Sequence, residues 1–117
     1  MFKVIVAGSR GFGDYSKLCS SLDRLLVNVS PTEIEIVSGC AKGADSLAIL
    51  YAKDRGYACT KMPADWSSGR GAGYRRNEAM GRYADVLVAF WDGQSRGTKH
   101  MIGFMRQLGK PYRIVRF

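Results

Sequence analysis

Apolar positions along this 117-residue chain follow two rhythms that alternate from one end to the other. Five short stretches are rich in β-branched and aromatic residues: 2–8 (FKVIVAG), 33–39 (EIEIVSG), 57–62 (YACTKM), 85–91 (DVLVAFW) and 112–117 (YRIVRF). The first, second and fourth are near-continuous apolar runs, the pattern of parallel strands covered on both faces. Between the strands the spacing becomes helical. Leu18, Leu22, Leu25, Leu26 and Val29 make one stripe. Ala44, Leu47, Ala48 and Tyr51 make the next, closed by Gly56 as a left-handed cap. Residues 74–84 carry a sparser stripe around Tyr74, Asn77 and Met80. Met101, Ile102, Met105 and Leu108 form the last, stopped by Gly109, Lys110 and Pro111.

Strand and helix thus alternate without interruption, which predicts an α/β fold of three layers, αβα, around a five-stranded parallel sheet. The length suits a single domain over 1–117. Right-handed crossovers bring every strand-to-helix loop to the carboxyl edge of the sheet. The glycine-rich first and fourth loops favour facing each other. That selects strand order 3-2-1-4-5 over 2-1-3-4-5 and opens a ligand crevice between the first and fourth strands.

Charge adds to this picture. Eighteen Lys and Arg stand against ten Asp and Glu, a formal net charge of +8, and such an excess attracts phosphates. The cations gather on one edge. The four loops there are 8–14 with Arg10, 37–45 with Lys42, 65–77 with Arg70, Arg75 and Arg76, and 92–100 with Arg96, Lys99 and His100. The opposite edge has only Lys53, Arg55 and Lys110 nearby. Three widely spaced cysteines form no C-x-x-C pair, which argues against a disulfide framework or a zinc site and for a reducing cytoplasm. The single histidine excludes a multi-histidine metal centre, no motif calls for a cofactor, and no apolar run is long enough to span a membrane.

Each edge loop combines glycine with a cation. Glycine lets backbone N–H groups approach a ligand, and a helix starting just behind adds its positive end. The first loop reads G-x-x-G-x-G rather than the dinucleotide fingerprint, and no P-loop motif occurs. A standard dinucleotide dehydrogenase and a P-loop nucleotidase are therefore disfavoured. Asp14 reads as the N-cap of the first helix and Thr98 as that of the last. Asp45 either offsets the dipole of the second helix or holds a ribose hydroxyl. Phe12, at a loop tip, is the preferred platform for stacking a base, ahead of Trp66 and Trp91. Cys40 reads as a packing residue. Met80, Met101 and Met105 suit burial, or a helical interface in a homo-oligomer.

Taken together, VAGSRGFGDY, VSGCAKGADSLA, PADW, GAGYRRNEAM and ADVLVAFWDGQSRGT resemble the YspA-like proteins of the SLOG superfamily, in order and over nearly the whole chain. The resemblance implies a Rossmann-like fold and binding of a nucleotide ligand. Superfamily relatives include Lonely Guy phosphoribohydrolases, the DNA-uptake protein DprA and sensors of NAD- or ADP-ribose-like nucleotides. By position, Gly8, Ser9 and Arg10 match the first ligand loop, and Gly39, Lys42, Gly43 and Asp45 the second, where the family more usually reads SGGARGAD. Arg76 and Asn77 match its RN pair. Gly93, Ser95, Arg96, Gly97 and Thr98 correspond to its glycine-rich phosphate loop.

In the phosphoribohydrolases a glutamate follows the Gly-Thr pair, whereas this chain continues with Lys99 and His100. An oxocarbenium-like transition state needs a carboxylate nearby, and a lysine opposes it. Asp14, Asp45, Asp65, Glu78 and Asp92 are the available substitutes. The sequence therefore leads to a binding module for a small phosphate-bearing nucleotide, which it senses or sequesters, with Arg10, Lys42, Arg76 and Arg96 converging on the phosphates. An N-glycosidase and a single-stranded nucleic-acid binder are the alternatives.

Overall fold

The structure, a computed structural model, describes residues 1–117. Its strands are β1 (Phe2–Gly8), β2 (Ile34–Ser38), β3 (Ala58–Lys61), β4 (Val86–Trp91) and β5 (Tyr112–Arg116). Its helices are α1 (Tyr15–Leu25), α2 (Ala44–Arg55), α3 (Ala72–Tyr83) and α4 (Arg96–Leu108). All strands pair in parallel in the order β3-β2-β1-β4-β5. The fold is Rossmann-like, as the alternating pattern and the resemblance both implied.

Side chains of a strand point alternately to its two faces, so β1 feeds two cores at once. Val4 and Val6 join Ile34, Ile36, Val86, Val88 and Phe90 beneath α1 and α2. Ile5 and Ala7 join Val37, Leu87 and Ala89 beneath α3 and α4. Helices on both faces leave no polar side to the central strands, which explains their unbroken apolar runs.

Helix ends follow local chemistry. Asp14 caps α1 by accepting the N–H of Lys17 at 3.0 Å. Gly56 and Gly109 close α2 and α4 in left-handed conformation. Helix α1 ends at Leu25, so Leu26 is its C-cap and Val29 lies beyond it. Asp23 then ties α1 to α2: it accepts from the Tyr51 hydroxyl at 2.7 Å and from Arg55 Nη2 at 2.9 Å. The Arg55 guanidinium holds the Asp23 carboxyl below the usual carboxylate range. One expectation needs correction. Ser95, not Thr98, is the N-cap of α4; Thr98 sits within the first turn with its hydroxyl 3.2 Å from that of Ser95. Met80, Met101 and Met105 are buried between α3, α4 and the sheet, the burial their spacing suits, which leaves their alternative use at a helical interface without support. No helix is long and apolar enough to cross a membrane.

Candidate functional site

The neighbouring strands β1 and β4 send their loops to opposite sides of the sheet, and a hollow of about 520 Å³ opens at that switch point. All four carboxyl-edge loops contribute to its walls. Ser9 joins the first to the fourth: its N–H donates to the Phe90 carbonyl at 2.9 Å and its hydroxyl accepts the Asp92 N–H at 3.1 Å. Gly43 joins the first to the second. Its φ of +80° favours glycine, and a β-carbon there would collide with the carbonyls of Ser9 and Arg10.

Among the expected site residues, Gly8, Ser9, Arg10, Asp45, Arg76, Asn77, Ser95, Gly97 and Thr98 line the hollow. Gly39 lies just behind it, its carbonyl accepting from Arg76 Nη1. Gly93, with φ of +84°, packs beside the Arg116 guanidinium. The expected convergence of four cations holds for two. Lys42 is exposed on its loop outside the lining, and Arg96 lines a shallower neighbouring hollow with Lys99 and His100. Arg70 takes a place beside Arg10 and Arg76 instead. Arg75 is spent on the loop itself, donating to the carbonyl and hydroxyl of Ser68 at 3.0 and 2.7 Å.

Phe12 also requires correction. It is 3% exposed, stacked on Phe90 at 4.8 Å and edge-on to Phe117 at 4.9 Å, so it is core and cannot receive a base. The aromatic faces at the hollow are Trp66, 61% exposed, and Tyr74, 47% exposed. Trp66 lies over Gly73, where a β-carbon would press on its ring. The sequence held one clue to this pair, PADW followed closely by GAGY, but nothing in it set their exposure against that of Phe12.

Two carboxylates share the site. Asp45, at the start of α2, is buried, and burial raises its pKa; the Arg76 guanidinium and backbone N–H groups, including that of Ala41, oppose the rise. Asp92 is the reverse case. Its Oδ1 accepts the N–H groups of Gln94 and Ser95, both at 2.8 Å, and these hold its pKa below the usual range. The two acids thus stand on opposite sides of the ordinary value. Among the carboxylates considered as substitutes for the missing glutamate, these two reach the hollow; Asp14 caps α1, Asp65 caps the turn Trp66–Ser68, and Glu78 faces His100.

The first-turn amides of α4, at Gly97 and Thr98, lie on the same wall and have no partners inside the helix. The site is therefore an open, mixed-charge crevice at the carboxyl edge of a Rossmann-like sheet, framed by helix amino ends, with exposed rings at its mouth. The sequence model of the YspA, cpYpsA-related SLOG family matches residues 2–69. The chain belongs to that family. It is 36% identical over 118 residues to the gene 61 protein of Mycobacterium phage D29, across 95% of this chain and 94% of that relative.

Solved structures similar to it include DNA processing protein A from Streptococcus pneumoniae, with a TM-score of 0.77 and 15% identity over 99% of this chain. The same protein from Helicobacter pylori, described for its single-stranded DNA binding mode, gives 0.70 and 20% over 97%. The chain spans 50% of the first and 64% of the second. At these identities the likeness is one of fold.

Proposed function

We propose that the chain binds a small phosphate-bearing nucleotide in this hollow, sensing or sequestering it, with an NAD- or ADP-ribose-like compound as the favoured class. One observation carries the reading: Arg10 and Arg70 from two distant loops and Arg76 from α3 line a single hollow together with Gly97 and Thr98 in the first turn of α4. Cations and helix amino ends together favour an anion more than either alone. The volume falls in the range of small-ligand pockets, and Trp66 and Tyr74 offer flat surfaces to a base. Gly39, Gly43 and Asp45 shape the second wall, and Asn77 fixes the third. Lys42, Arg96 and Gly93 serve from outside the lining, through longer-range charge and loop shape.

Calorimetry with AMP, ADP, ADP-ribose and NAD at about 0.15 M salt tests the reading. One of them should bind saturably, and Arg76→Ala and Arg10→Ala should each weaken it about tenfold, the scale of one charge-assisted hydrogen bond. No saturable binding by any phosphorylated nucleoside retires the reading. Base released on incubation, measured by chromatography, would replace it with N-glycosidic hydrolysis by Asp45 or Asp92. Tight binding of an oligonucleotide that grows with strand length and falls steeply with salt would replace it with single-strand binding, the property named for the Helicobacter pylori protein.

A further inference from the structure

Asn77 is held from three directions. Its Oδ1 accepts Arg76 Nε–H at 3.0 Å, its Nδ2 donates to the Gly97 carbonyl at 3.1 Å, and the same Nδ2 lies 3.3 Å from His100 Nδ1. The first two contacts settle which way round the amide sits, since a guanidinium only donates and a carbonyl only accepts. His100 Nδ1 must then accept. The imidazole in this arrangement is neutral, with its proton on Nε2, the nitrogen that faces Glu78 Oε2 at 3.7 Å. Tyr74 stacks on the ring at 4.2 Å and Phe104 flanks it at 6.4 Å, both near parallel.

We infer that His100 is a positioning residue for the anion hollow: neutral, it locks the Asn77 amide and through it Arg76, and protonated, it releases them. A proton on Nδ1 would set two donors face to face. The amide cannot answer by reversing, because its NH2 would then meet Arg76 Nε–H and its oxygen the Gly97 carbonyl. The contact must part, and Asn77, turning away from the imidazolium, gives up both of its other anchors. Arg76 then retains only the Gly39 carbonyl as a fixed partner.

The charged groups around the ring come from both helices. Glu78 on α3 favours the imidazolium, and Arg82, 3.9 Å from Glu78, shares that carboxylate. Arg96 and Lys99 line the same shallow hollow as His100 and oppose its protonation. The sequence placed His100 with Arg96 and Lys99 among the cationic residues of the fourth edge loop but gave it no positioning role.

The consequence has a sign that plain electrostatics would not give. Added positive charge near an anion site should tighten binding as pH falls, whereas loss of the Arg76 anchor loosens it. The first experiment needs no ligand. In the isotopically labelled full chain, the Asn77 side-chain amide and Arg76 Nε–H resonances are followed by NMR from about pH 5 to about pH 8, the interval of histidine titration. They should move in one step that shares its midpoint with the His100 ring carbons. His100→Asn, whose Oδ1 stands close to the Nδ1 position and does not titrate, should abolish the step. Flat Asn77 and Arg76 signals while His100 titrates overturn the inference.

The second experiment rests on the anion-binding reading of the hollow and uses sulfate, whose charge is constant over this interval. Wild-type affinity should fall about threefold to tenfold on the acid side, as for one hydrogen bond lost at Arg76. The His100→Asn affinity should stay level. Tighter sulfate binding as His100 protonates overturns the inference in favour of simple attraction. A clear NMR step with no sulfate binding at any pH would leave the positioning link standing and retire the anion reading alone.

Discussion

Arg76 reaches from α3 to β2's end and donates from Nη1 to the carbonyl oxygen of Gly39. A β-carbon on Gly39 would stand 2.5 Å from that nitrogen and 2.8 Å from Asp45 Oδ2, closer than such contacts allow. The glycine is thus the space in which a cation and a buried acid are brought together. Gly39→Ala should push the guanidinium out of the hollow, because the tip of a long side chain yields more easily than the backbone. We expect anion affinity to fall about tenfold and stability by about 1–3 kcal/mol, the usual range for an extra methyl in a filled site. Calorimetry and thermal unfolding of the same sample separate the two effects. Unchanged affinity would detach Gly39 from the site.

Asp45 gives a prediction with a definite pH sign. Its folded-state pKa is raised, chiefly by burial, so the native state holds this proton more firmly than the unfolded chain does. Its contribution is complete below the ordinary carboxylate value of about 4 and is lost as pH rises through the higher native value. Asp45→Asn keeps an oxygen to accept the Ala41 N–H and has no charge to bury. The variant should therefore unfold at a higher temperature than wild type at pH 8, with the gap closing as pH falls toward about 4. Anion affinity at pH 8 should rise, since Arg76 loses its nearest opposing charge. A lower unfolding temperature at pH 8 would mean that the carboxylate earns its place through Arg76 despite burial.

Lys110 was placed on the opposite edge from the site, and its role there is structural. Its ammonium donates to the carbonyls of Gly81, Arg82 and Ala84 at 2.8, 3.0 and 2.8 Å, closing the carboxyl end of α3. These are carbonyls that a helix end leaves without partners, and a cation there also meets the negative end of the dipole. Lys110→Met keeps the length of the stem and removes the three donors. It should cost about 1–2 kcal/mol, the scale of hydrogen bonds to a charged group. Hydrogen exchange should quicken in the last turn of α3, while nucleotide or sulfate affinity stays as in wild type.

The architecture was legible because its signals are local. Fully covered strands need unbroken apolar runs, and 2–8, 33–39 and 85–91 have them; glycine closes α2 and α4 where the sequence places it. The site was legible as an edge but not as a direction. Arg96 and Gly97 are neighbours, yet each step along a helix turns about 100°, so Gly97 faces the main hollow and Arg96 the shallow one. Phe12 failed for a different reason. Flanking glycines suggest an exposed tip, but the rings that bury it, Phe90 and Phe117, lie far along the chain and meet it only after folding. The Asn77–His100 contact, 23 positions apart, is likewise invisible to spacing within any one helix.

Cys40 is the one residue other than glycine with positive φ, at 64°, and the resemblance noted in the sequence implies glycine at this position. Left-handed backbone costs a residue with a β-carbon about 1–2 kcal/mol. Little offsets it here: the Sγ lies 3.7 Å from the Ser38 carbonyl, while the contact from the Cys40 N–H to the Ser38 hydroxyl, 3.2 Å, belongs to the backbone and would survive any substitution. Cys40→Gly removes the strain but adds freedom to the unfolded chain, worth about 0.4–1 kcal/mol in the other direction. The net gain should be up to about 1 kcal/mol, seen as a rise of a few degrees in unfolding temperature. Cys40→Ala is the control, since it removes the sulfur and keeps the β-carbon. It should unfold at or below the wild-type temperature. If alanine stabilises as much as glycine, the thiol rather than the backbone is the source of the cost.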